Sequence, residues 1–154
     1  MSKWYHKVTS DLAEIANCIL YYENEIIDAR AELNMKGQVL ASVSSKLPGL
    51  VEYRFNQLQE IEAILEYLNI QYKKTKTAKF RKYLEHYNKA LTSRDAEKYA
   101  EGDKEVVDLA VLTNEFALLR NQFLGITKGL EVKHWMIGNI VKLRCAGLDD
   151  AYID

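Results

Sequence analysis

Apolar residues in the first third of the chain recur at heptad spacing. Leu12, Ile19, Ile26, Leu33, Leu40 and Leu47 lie on one column, and Ile15, Tyr22, Ala29 and Val43 on the next. That is the period of a helix burying one stripe, and it predicts helix from about Thr9 to Lys46. Lys36 and Gly37 break the register, so a bend or an end is expected there. Pro48 disfavours helical geometry at Leu47 but suits the first turn of a new helix. A second helix is therefore expected to start at Pro48, with Val51, Leu58, Ile61, Leu65, Leu68 and Tyr72 as its seam.

Beyond Tyr72 the apolar positions thin to Ala78, Phe80, Tyr83, Leu84 and Tyr87, while lysines and an arginine take most other places. Thr92-Ser93 followed by Arg94-Asp95-Ala96-Glu97 offers a capping hydroxyl and a first-turn carboxylate, predicting a short helix that stops at Gly102. Asp103 can cap the last helix. There Leu109, Leu112, Phe116, Leu119, Phe123, Ile126, Leu130, Ile137 and Ile140 follow another near-heptad repeat before Gly147. Such a helix would exceed about 50 Å, a length suited to an assembly element. Gly125 and Gly129 inside it each cost up to about 1 kcal/mol relative to alanine. With Gly138 further on, they are read as a smooth strip for close helix approach, within the subunit or between subunits, with a hinge or local kink as the alternative.

The expected fold is all-α, with long helices carrying heptad-like seams in a single helical domain over residues 1–154. A helical hairpin occupies 1–71, a basic segment 72–98, and a C-terminal oligomerisation helix with an acidic tail 99–154. The oligomerisation candidates are Phe123, Gly125, Gly129, Leu130, Trp135, Ile137 and Ile140. One proline and seven glycines in 154 residues leave room for long helices, and 48% apolar with 28% charged residues argue against wholesale disorder. The opening Met-Ser-Lys-Trp-Tyr-His gives no support to the expectation of a secretory signal, and no run of 18 or more apolar residues suggests a membrane span. No membrane partner and a cytoplasmic location are expected. Cys18 and Cys145 stand alone and far apart, so each is read as a helical packing position rather than half of a disulfide.

Charge changes the picture. Residues 72–98 hold nine of the 21 Lys and Arg residues against three acids (Glu85, Asp95, Glu97). Residues 1–71 carry six basic and ten acidic side chains, and 99–154 six and nine, so the three segments stand near −4, +6 and −3. An incoming polyanion feels that local field and not the formal net charge of −1. Tyr72, Phe80, Tyr83, His86, Tyr87 and Tyr99 are interleaved with the cations or abut them. On single-stranded nucleic acid, cations meet phosphates while rings or Arg planes stack on unpaired bases. The candidate binding residues are Lys73, Lys74, Lys76, Lys79, Phe80, Arg81, Lys82 and Tyr83. The spacing of three and four also lets Phe80, Tyr83 and Tyr87 pack inward along one stripe. This is the favoured reading for the rings, and it leaves the cations to contact the strand.

Catalytic chemistry finds no foothold. His6, His86 and His134 fall in different segments without one-turn pairing, so no metal site is expected. There is no Gly-rich phosphate loop, and neither a cofactor nor an enzyme activity is expected. Glu23 with Glu25, Glu60 with Glu62, and Asp149 with Asp150 are spaced so that helical geometry points each pair apart. They are read as solvated faces. The terminal Asp149-Asp150-Ala151-Tyr152-Ile153-Asp154 is read as a frayed end, with docking on a basic partner as the alternative.

The segment Lys79-Phe80-Arg81-Lys82-Tyr83 and the helix end Trp135-Met136-Ile137-Gly138-Asn139-Ile140-Val141-Lys142-Leu143-Arg144 together resemble the UvsY family of recombination mediators from tailed phages. The resemblance covers roughly residues 72 to 147; residues 1 to 71 match no family pattern. It implies a small helical protein that forms a ring-like homo-oligomer, a hexamer or heptamer. The same resemblance implies that it binds single-stranded DNA and helps load a RecA-like recombinase onto strands coated by single-strand-binding protein, with no catalysis of its own. It places strand binding on Lys79 and Arg81, and oligomerisation on the C-terminal helix with Leu130, Trp135, Ile137 and Ile140. The strongly heptad N-terminal region and the acidic tail depart from the family pattern. Two rival readings share the helices and the basic patch: a coiled-coil assembly scaffold and a helicase-loader-type replication adaptor.

Overall fold

The computed structural model describes residues 3–86 and 91–148. The described chain is helical throughout and contains no strand. It has α1 (Lys3–Ser10), a 3-10 turn (Leu12–Glu14), α2 (Ile15–Leu33), α3 (Leu40–His86), α4 (Ser93–Glu101) and α5 (Lys104–Cys145). Tyr87 and the acidic tail from Asp149 lie outside the described residues, as does the side chain of His86. None of the described helices is long and apolar enough to cross a membrane.

The expected helix from Thr9 to Lys46 is instead three pieces. Asp11 accepts a hydrogen bond from the Ala13 N–H at 2.9 Å and opens the 3-10 turn. Asn34 does the same for Lys36 N–H at 3.0 Å, and Gly37 takes φ +75 before α3 begins. Short Asx side chains offer the backbone a local partner that competes with helix, and the left-handed φ costs glycine nothing. The expected start at Pro48 is also corrected, because α3 runs through it. Proline removes one helical hydrogen bond, that to Ser44 C=O. Pro48 and Ser44 are both exposed, so water can serve that carbonyl, while buried Val43 and Leu47 on the same helix hold the turn in place.

The ends expected for α4 and α5 are present. Thr92 caps α4, its hydroxyl accepting from Asp95 N–H and donating to the Asp95 carboxylate at 2.6 Å. Asp103 accepts from Glu105 N–H at 3.1 Å. After α5, Gly147 takes φ +72 and the Leu148 N–H returns to Leu143 C=O at 3.0 Å, closing a left-handed C-cap.

Contacts divide the chain into two units, whose borders do not follow the three segments read from charge. The first comprises Met1–Ile19 with Glu60–Arg120. Its core holds Val8, Ile15, Cys18, Ile61, Ile64, Leu68, Ala96, Ala100, Val106, Phe116 and Leu119. Glu60, expected to be solvated, accepts from the Trp4 and Tyr5 N–H groups at 2.6 and 2.9 Å. A carboxylate there satisfies donors that a helix N-terminus leaves without partners. Cys18 packs as expected, and burial first, then the nearby Glu60 charge, pushes its thiol up to about 12. Cys145 does not pack; it is exposed as the last residue of α5.

The second unit comprises Leu20–Gln59 with Asn121–Asp154. Tyr22 of α2 meets Phe123 of α5 edge to face at 5.5 Å, and Ile26, Ala29, Val43, Leu47, Leu58, Ile126, Leu130 and Ile137 fill the remaining core. Two cations sit buried beside that core. Arg54, with 2% of its side chain exposed, grips the Glu32 carboxylate through Nε and Nη2 at 2.8 and 2.7 Å. Its Nη1 donates to Glu25 at 2.6 Å and to Gln57 Oε1 at 2.8 Å, and Gln57 in turn donates to Glu25 at 2.8 Å. Glu25 is thus not the solvated carboxylate expected. Burial alone would raise its pKa, but hydrogen bonds from Gln57 and Arg54 and the guanidinium charge outweigh that and hold it below the ordinary 4.5. Lys133 of α5 donates to the carbonyls of Glu32 and Asn34, capping the end of α2.

Of the glycines in α5, a Cβ on Gly129 would stand 3.0 Å from Leu33 Cδ2, so this glycine permits a close approach within the subunit. Gly125 and Gly138 have nothing within 4 Å. Gly129→Leu is accordingly expected to destabilise the second unit by about 1–3 kcal/mol through overpacking, whereas Gly125→Ala should raise stability by up to about 1 kcal/mol; urea melts read both. Arg54→Ala leaves two carboxylates facing each other without their cation. It should cost about 3 kcal/mol, and Arg54→Lys, which cannot make the fork, should recover only part of it.

Candidate nucleic-acid interface

The candidate residues lie on the last turns of α3, in the first unit, and the helix sorts them onto two faces. Tyr72, Lys76, Lys79, Phe80 and Tyr83 fall together on one side of the helix and are half-buried. Lys73, Lys74, Arg81 and Lys82 are spread around the outward half of the helix and are exposed. Side chains three and four apart share a helix face, so a continuous run of cations in sequence becomes two surfaces with different surroundings.

The inward face is matched by acids from α4 and the start of α5. Lys76 Nζ stands 2.8 Å from Glu101 and 3.9 Å from Glu97. Lys79 Nζ stands 3.1 Å from Asp103 and 3.0 Å from Glu105. The Tyr83 hydroxyl donates to Asp103 at 3.1 Å, and its ring lies 5.8 Å from that of Tyr99. The hydrogen bond to Glu105 leads the interactions that raise Lys79 above its ordinary 10.5, followed by that to Asp103. At Asp103, desolvation pushes the carboxyl up, but hydrogen bonds from Lys79, the Glu105 N–H and Tyr83 outweigh it and leave the group below its ordinary 3.8. The α3 basic segment is thereby latched to the helices that follow it. Composition does not mark Lys76 and Lys79 as different from their neighbours; the one sequence signal that separates them is their spacing of four, three and four with Tyr72 and Tyr83.

The rings behave as the inward reading expects, as far as they are described: Phe80 and Tyr83 sit on the latched face. The two cations of the Lys-x-Arg element are not brought together, since Lys79 is latched and Arg81 points outward. A cleft of about 270 Å³ lined by Lys76, Thr77, Phe80, Ser93 and Glu97 opens beside the latch.

The residues expected to mediate assembly divide in the same way. Phe123, Leu130 and Ile137 are buried in the core of their own unit, and Gly129 packs on Leu33. Ile140 is half-buried, Gly125 is open, and Trp135 is 71% exposed. Among the described residues, no three His, Cys, Asp or Glu side chains come together as metal ligands could. Compared with family models, with curated proteins and with solved structures, the chain matches none of them.

The latch has a pH signature. The lowered Asp103 stabilises the fold fully above its ordinary 3.8 and loses that contribution as pH falls through its folded value. The raised Lys79 contributes fully below 10.5 and loses it as pH rises through its folded value. Asp103→Asn, which keeps a capping side chain, should lower the melting temperature by a constant amount between those limits. The difference from wild type should shrink as pH drops below 3.8, which thermal melts by circular dichroism would show.

Proposed function

We propose that the protein binds single-stranded nucleic acid along the outward face of α3 and acts, as a homo-oligomer, as a recombination mediator. It would help a RecA-like recombinase to load onto DNA coated by single-strand-binding protein. The observation that carries the binding step is the exposure of Lys73, Lys74, Arg81 and Lys82 around the outward half of α3. These four cations lie within ten residues, a span of roughly 15 Å, on the outward half of the helix, with Lys74 and Arg81 in line and Lys73 and Lys82 to either side. The recombinase and the coating protein enter through the resemblance of the Lys79–Tyr83 and Trp135–Arg144 motifs.

Electrostatics favours this face over the latched one. A strand competing for Lys76 or Lys79 must displace carboxylates already 2.8 to 3.1 Å away, whereas the outward cations exchange only water and counterions. Release of those counterions makes binding salt-sensitive and indifferent to sequence. Weak single patches gain useful occupancy when several copies are held in one assembly. Mediation then needs no hydrolysis by this protein, because it is a competition between binders of one strand. A scaffold that ignores nucleic acid is the second reading, and the exposed apolar side chains Val132, Trp135 and Met136 on α5 favour it.

Fluorescence anisotropy of a labelled oligo-dT, titrated across salt, separates the two. Wild type should bind with a log–log salt slope of up to about 2.8 per engaged subunit, at about 0.7 per neutralised phosphate. Replacing Lys73, Lys74, Arg81 and Lys82 by alanine should flatten that slope, while Lys79→Ala should leave it nearly unchanged. The protein should also shorten the lag of recombinase ATP hydrolysis on coated strands. Absence of binding at low salt, or the same curve from the quadruple variant, favours the scaffold.

A further inference from the structure

The second unit carries an apolar groove of about 660 Å³ between the first turns of α3 and the last turns of α5. Leu47 and Pro48 form one wall; Glu131, Trp135, Gly138 and Lys142 of α5 line the other. The large apolar side chain at this groove, Trp135, is 71% exposed. A contiguous apolar patch of this kind on a helical protein marks an interaction surface, and what identifies its occupant is the order of residues along the α5 wall.

Glu131, Trp135, Gly138 and Lys142 are spaced four, three and four apart, so they form a single stripe. The stripe is a chemical palindrome about the point between Met136 and Ile137. Reversed and laid against itself, it places Glu131 opposite Lys142 and Trp135 opposite Gly138. Antiparallel helices pair the two kinds of seam position in this crossed manner, and a two-fold contact requires such self-complementarity. Gly138 completes the fit, since no atom lies within 4 Å of where its Cβ would be. The glycine leaves an open notch on the stripe, and in a reversed second copy Trp135 is the residue that falls opposite it.

We propose that this groove is occupied by a second copy of the chain, with the two α5 helices antiparallel across a two-fold axis. The Trp135 indole of each subunit enters the notch over Gly138 of the other, against the wall formed by Leu47 and Pro48. Glu131 of each pairs with Lys142 of the other at the two ends of the contact. A parallel arrangement would set Glu131 against Glu131 and Lys142 against Lys142, and like charges face to face disfavour it. The inference concerns the end of α5 and is independent of the nucleic-acid reading, so a failed oligo-dT titration leaves it standing.

Charge exchange tests it. Light scattering and sedimentation equilibrium across a concentration series should show wild type associating through a dimer of twice the 17.8 kDa chain. Glu131→Lys alone and Lys142→Glu alone each turn both end contacts repulsive and should weaken dimerisation on the order of tenfold or more. Mixing the two single variants should restore a heterodimer, because both end contacts of the mixed pair again join opposite charges. Gly138→Leu should abolish the dimer without lowering the thermal stability of the subunit, since its site within the subunit is open. A monomeric wild type, single variants that keep the wild-type mass, or a mixture that stays monomeric would each overturn the proposal.

Discussion

A guanidinium buried among helices makes a demand that apolar packing does not. Arg54 must find carboxylates at fixed distance and orientation, and it finds them on α2, one helical stretch away, at Glu25 and Glu32. Hydrophobic contacts between α2 and α3 would tolerate sliding by a turn, because leucines and isoleucines are exchangeable at similar volume. The bidentate grip on Glu32 and the shared Gln57 bridge to Glu25 admit one register. Such a network contributes little net stability over an apolar replacement, since desolvating three charges is costly. Its contribution is the specificity of the register between α2 and α3.

Lys133 extends the same logic from α2 to α5. Its ammonium reaches the terminal carbonyls of α2, which have no intrahelical donors. A cation at that point also complements the negative end of the helix dipole. Between them, Arg54 and Lys133 tie the end of α2 to the two helices beside it, immediately before the Asn34–Gly37 turn reverses the chain. The second unit therefore holds its three helical stretches through charge placed inside, while its outer stripe of Glu131, Trp135, Gly138 and Lys142 is left for another surface.

The first unit uses charge differently. Its buried residues are apolar, and its ion pairs gather at the rim, where Lys76 and Lys79 meet acids of α4 and α5. The basic segment is consequently not one surface. Half of its lysines between residues 73 and 79 serve the fold, and the cations left for a polyanion are those whose helical phase turns them away from α4. The net field of the segment is reduced by the same pairing, which leaves its positive charge on the outward half of α3.

What could be read from the chain alone were features whose cause is local. Thr92 and Asp103 cap their helices through hydrogen bonds spanning two or three residues, Gly147 ends α5 because only its own φ matters, and the apolar stripe of α5 follows from helical period. The all-helical class follows from the same kind of information. The break at 34–39 was only half legible: Gly37 signalled it, but the helix ran on in the heptad count, and Pro48 signalled a boundary that packing overrode. Glu25 and Glu60 read as surface, and Arg54 and Lys133 gave no signal at all, because a hydrophobic period scores any charge as solvated. Whether a buried charge is tolerable depends on partners 22 to 101 residues away. Lys79 and Arg81, two residues apart, were indistinguishable in composition, and only the placement of Asp103 and Glu105 assigned one to the fold and the other to the surface. Sequence by itself determined where helices begin, end and present apolar stripes, because those choices are settled within a few residues. Tertiary structure alone decided which charges are inside and which cations remain available, because an ion pair exists only once distant segments have been brought within 4 Å.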